Sequence, residues 1–131
     1  MTPIRSLAVV VAVLVSLALT GPAAACRCLT PSLARTTAAA DVVLVGTLTR
    51  IDAATATVAV RAVWNGQAAA TVTIHDSPTS CRRGLPDGAT LVIMARRDGD
   101  RLTLRQCDGT QRATPALERR LTRRLGAPRA P

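Results

Sequence analysis

Four cysteines carry most of the chemical information in this 131-residue sequence: Cys26, Cys28, Cys81 and Cys107. Thiols at such positions can bind zinc or oxidise to disulfides. A Cys-x-Cys followed by two isolated cysteines is not the paired C-x-x-C spacing of a structural zinc site. An even number of cysteines in an exported chain points to two disulfides instead. Four cysteines allow three pairings. A Cys26–Cys28 bridge would close a very tight ring and is disfavoured geometrically. In both remaining pairings each bridge closes a loop of more than 50 residues, worth about 4 kcal/mol in the chain-entropy model. Elsewhere, His75 is the single histidine and Glu118 the single glutamate. No cysteine or serine motif surrounds His75, and Asp41 and Asp108 suit turn or cap roles, so no enzyme is expected.

Export is read from the first 25 residues. Arg5 precedes an uncharged apolar run of 14 residues, Leu7 to Thr20, shorter than the roughly 20 residues needed to cross a bilayer. Gly21-Pro22 and the small residues Ala23-Ala24-Ala25 follow, which completes the pattern of a secretory signal peptide. The expected mature chain is secreted, begins at Cys26, contains 106 residues and has no transmembrane segment. The alternative is a lipoprotein anchored through Cys26. Against it, Ala23 stands where a lipoprotein signal has Leu, and lipidation would leave three cysteines.

The elements that must position these residues are mostly strands. Apolar residues make up 48% of the chain, yet Phe and Tyr are absent and Trp64 is the one aromatic. A core must then be built from Val, Leu, Ile and Ala, with Trp64 as its one large piece. Thr30-Pro31 reads as a cap and first position of a short helix to about Ala39. Asp41–Ile51 is a buried run with Gly46 as a bulge. Thr55–Trp64 alternates, placing Val58, Val60 and Ala62 on one face, and Asn65-Gly66 turns the chain. Thr71–His75, Thr90–Ala95 and Arg101–Cys107 complete five strands, with residues 96–100 as a hairpin turn. Thr114-Pro115 opens a final helix with Leu117, Leu121 and Leu125 on one face and Gly126 as its stop. The expected fold is mainly β: a closed five-stranded antiparallel barrel with a short N-terminal and a C-terminal helix. Residues 1–25 form the signal, 26–126 one domain and 127–131 a disordered tail, in a monomer.

All 17 basic residues are Arg, and the mature chain has a net charge of +8, of which +5 falls in residues 112–131. Arg119, Arg120, Arg123 and Arg124 lie opposite the Leu face. A solvated helix face is the simpler reading; contact with an anionic surface polymer is the functional one. Nucleic acid is not expected as a partner, because single-strand platforms stack bases on aromatics.

The ordered features Cys26-Arg-Cys28, Ala40-Asp-Val-Val43 with Gly46, Val63-Trp-Asn-Gly66, Thr79-Ser-Cys81, Leu91-Val-Ile-Met94 and Leu102-Thr-Leu-Arg-Gln-Cys-Asp108 together resemble the inhibitory domain of the tissue inhibitors of metalloproteinases, within the netrin-like group. The resemblance covers Cys26 to Leu125 and implies an OB-type barrel with bridges Cys26–Cys81 and Cys28–Cys107. It implies that the free α-amino group and carbonyl of Cys26 chelate the catalytic zinc of a target zinc metalloprotease. An α-amine of pKa roughly 7.7–8.0 can lose its proton to a metal near neutral pH, and a catalytic zinc keeps one position open. Arg27 would enter the pocket beside the zinc, and Cys28, Leu29, Thr30, Thr79 and Ser80 would complete the contact ridge. The free protein would hold no metal and no cofactor. Two positions depart from the family: Arg27 replaces a small residue, and Ala38 stands where a third disulfide has its first cysteine. The other reading is a non-inhibitory netrin-like module that binds a protein or anionic polymer through its Arg-rich helix.

Overall fold

The computed structural model describes Cys28, residues 31–76 and residues 85–131. In chain order these form α1 (Leu33–Ala39), β1 (Val42–Ile51), β2 (Thr55–Asn65), β3 (Thr71–His75), β4 (Thr90–Asp98), β5 (Arg101–Thr103), β6 (Gln111–Arg112) and α2 (Pro115–Leu125). The signal segment 1–25 and part of the loop before β4 lie outside the described residues.

β1 to β5 close into a barrel in the order β1-β2-β3-β5-β4, with β4 returning to β1. The fold is the mainly β, closed five-stranded barrel with two helices that the residue pattern predicts. Four of the pairings are antiparallel. The fifth, β3 with β5, is parallel, with Ile74 opposite Leu102 and His75 opposite Thr103. Five strands cannot close a ring by antiparallel pairs alone, so one parallel contact is a topological necessity.

The unbroken apolar runs in β1 and β4 follow from burial on both faces. Val42, Leu44 and Leu48 of β1 point into the barrel with Val58, Ile74, Leu91 and Ile93. The alternate residues Val43, Val45, Val92 and Met94 face outward and are covered by Leu117 and Leu121 of α2. Trp64, expected as the large piece of a single core, belongs to this outer layer, 6% exposed. The barrel interior is therefore aliphatic.

Irregular pairing sets the faces of β2. The register between β1 and β2 shifts at Val45/Gly46, where Gly46 pairs with Val60 and Val45 with Ala62. Arg61 is the extra residue, so Ala62 turns to the outer layer and Val63 takes the inward position. Strict alternation had placed Ala62 with Val58 and Val60; the bulge reverses the phase. Gly46 is required there, because a Cβ would run into the Val58 side chain and the Ala59 carbonyl.

Boundaries differ at several places. Ser32, not Thr30, caps α1: its Oγ accepts the Arg35 N–H at 3.3 Å, as a serine does at that position. β4 continues to Asp98 and the hairpin turn tightens to Gly99-Asp100. β6 is an additional short strand on β4. Residues 127–131, expected as a disordered tail, are tied down: the Arg129 N–H donates to the Val63 carbonyl at 2.8 Å, and the Val63 N–H donates back at 2.9 Å. The α2 boundaries match the expectation, with Thr114 Oγ1 accepting the Leu117 N–H and Gly126 closing the helix at φ 91°.

Candidate functional site

The turn after β5 builds the anchor for the N-terminal segment. The Leu104 N–H still donates to the His75 carbonyl at 2.7 Å, and the sheet contact then ends. The Asp108 carboxylate accepts the N–H groups of Arg105 (3.1 Å) and Thr110 (2.8 Å). Such side-chain-to-backbone bonds compete with strand pairing, which is why the strand expected to reach Cys107 stops at Thr103. Cys107 adopts a left-handed φ of 59° and is disulfide-bonded to Cys28, with a Cα–Cα distance of 5.2 Å across 79 residues of sequence.

The turn also packs closely on α1. Gly109 has φ 93°, and a Cβ there would lie 2.7 Å from Thr36 Cβ and 2.9 Å from Met94 Sδ. At the adjacent residue of α1, the Thr37 hydroxyl donates to the Leu33 carbonyl at 2.8 Å and accepts from Arg124 Nε at 3.2 Å. The N-terminal segment is thus fastened to a turn that is itself wedged between barrel and helices.

Of the expected contact ridge, Cys28 is exposed and fixed by its bond to Cys107. Cys26, Arg27, Leu29, Thr30, Thr79, Ser80 and the Cys26–Cys81 pairing lie outside the described residues. The basic helix face is as expected: Arg119, Arg120, Arg123 and Arg124 are exposed on α2, while Leu117 and Leu121 are buried beneath. The acid of that helix, Glu118, is engaged by Arg61 Nη2 at 2.6 Å. A recess between the helices brings Arg120, Arg123 and Arg124 beside Ser32, Leu33 and Ala34.

Sequence reasoning did not single out a second group, Arg35, Arg96 and Arg105, which line one recess. They come from α1, β4 and the turn after β5, so no motif announces them. Asp41 and Asp108 hold backbone, Asp41 Oδ2 accepting the Arg97 N–H at 2.8 Å. His75 is half-buried at the end of β3. Among the described residues no cluster of three His, Cys, Asp or Glu side chains is placed to hold a metal, and no helix is long and apolar enough to cross a membrane. Searched against protein-family models and curated proteins, the chain matches neither a family model nor a curated sequence.

Proposed function

We propose that this chain is a secreted inhibitor of zinc metalloproteases that presents the free terminus of Cys26 to the target's catalytic zinc. The observation that carries the reading is the Cys28–Cys107 bond. It fastens the chain two residues after the zinc-binding residue to the rigid turn behind β5. A ligand held in its binding geometry loses little freedom on association. The α-amine and carbonyl of Cys26 supply the chelate, a Cys26–Cys81 bond braces it, and Arg27 directs selection towards wide or acidic pockets. Secretion through the 1–25 signal frees the amine.

The test uses oxidised protein with Cys26 as its first residue against a panel of zinc proteases. Slow release of substrate product with the native terminus, abolished by one Ala placed before Cys26, supports the reading. The Arg27→Thr variant is expected to inhibit more of the panel. Equal inhibition by the Ala-extended protein, or none by either native or Arg27→Thr protein, ends it.

A second reading has its own observation: the four exposed arginines of α2 whose neighbouring acid is already paired. In that reading the domain binds an anionic surface polymer through α2 and inhibits nothing. Deleting the helix would strip Leu117 and Leu121 from the core, so charge is removed in place. A variant with Arg119, Arg120, Arg123 and Arg124 all changed to Gln should lose salt-sensitive polymer binding and keep its fold; retained binding rejects the module reading.

A further inference from the structure

The recess lined by Arg35, Arg96 and Arg105 borders the Cys28–Cys107 bond through Cys107 and includes none of the α2 arginines. Its volume is about 220 Å³, below the roughly 300 Å³ at which drug-sized sites begin. Ala39, Ala40, Met94 and Cys107 give it apolar walls. The three arginines reach it from three different elements and are all exposed. None of their guanidinium groups has an ion pair or side-chain hydrogen bond with another described residue. Asp108 also lines the recess, but its carboxylate is turned to the backbone N–H groups of Arg105 and Thr110. The site thus joins an apolar interior to a local excess of positive charge.

Neither half of that combination selects a ligand alone. Apolar walls favour any small hydrocarbon, and guanidinium groups favour any carboxylate, sulfate or phosphate, which they bind bidentately. Together they favour a molecule with a short aliphatic body and one anionic head. The body displaces water from the apolar walls, while the head stays at the mouth, where the charged side chains remain solvated. We propose that this recess is a binding site for a free, short-chain amphipathic anion, with Arg35, Arg96 and Arg105 holding its head and Met94 contacting its chain. The assignment is independent of the Cys26 terminus and of the α2 arginines.

Met94 gives a direct readout, since the other methionine of the chain is Met1. The full, oxidised protein labelled with ¹³C at its methionine methyl groups is titrated with octanoate and octyl sulfate, and separately with octanol and acetate. The expected result is a saturable shift of the Met94 methyl resonance with both octyl anions. Octanol, lacking the charge, and acetate, lacking the chain, should each bind at least about tenfold more weakly. A variant carrying Arg35→Gln, Arg96→Gln and Arg105→Gln changes exposed positions and should fold normally. It should lose about tenfold or more in octanoate affinity and bind octanol as before. No saturable shift with either anion, equal binding of octanol, or undiminished octanoate binding by the triple variant would overturn the assignment.

Discussion

Arg129 and Val63 exchange both of their backbone hydrogen bonds, at 2.8 and 2.9 Å, so the end of the chain lies as a strand-like strap along β2. The Arg129 guanidinium adds a third contact, donating to the Gly66 carbonyl at 2.8 Å. β3 pairs with β2 at Thr55–Ala59, and the strap covers the edge of β2 further along. An uncovered edge is a template for pairing with another chain.

Deleting residues 127–131 should therefore lower stability by about 1–2 kcal/mol and promote self-association. Thermal melting and size-exclusion chromatography over a range of concentrations check both effects. A monomer with an unchanged melting temperature would show that the strap contributes nothing.

The Cys28–Cys107 bond spans 79 residues, which in the chain-entropy model corresponds to about 4–5 kcal/mol. Typical domains have about 5–15 kcal/mol in total, and this core contains neither Phe nor Tyr. Replacing both cysteines by Ala should bring the domain close to unfolding at room temperature. Urea denaturation followed by circular dichroism measures the loss.

Gly109 combines a left-handed backbone with two close neighbours, Thr36 and Met94. The Gly109→Ala variant should lose about 2 kcal/mol or more, from strain together with overpacking. By contrast, Gly99 has a positive φ and open space for a Cβ, so Gly99→Ala should carry the strain alone and cost less. Comparing the two denaturation midpoints separates backbone strain from steric crowding.

Trp64 is nearly buried, and its indole N–H donates to Thr122 Oγ1 at 3.1 Å. Thr122→Val keeps the shape and removes the acceptor, leaving a part-buried donor without this partner. The expected loss is about 1–2 kcal/mol, with a changed emission from the sole tryptophan. Fluorescence-detected denaturation reports both on one sample.

Much of the local structure was legible in the residues themselves. Alternation and apolar runs located β1 to β4, and the Thr114-Pro115 start, the Leu repeat and Gly126 fixed α2, because periodicity, capping and backbone freedom act over a few neighbouring positions. The surface arginines of α2 followed from the same repeat. Tertiary structure decided what depends on distant partners. Ala62 faces outward because the β1–β2 pairing inserts Arg61, and β5 ends at Thr103 because Asp108 claims the backbone that follows. Cys28 joins Cys107 although the cysteine count alone left several pairings open. The strap at Arg129 needed the exposed edge of β2, and the grouping of Arg35, Arg96 and Arg105 needed three elements to meet. Contacts between residues far apart in sequence leave no periodic trace, so folding alone assembles them.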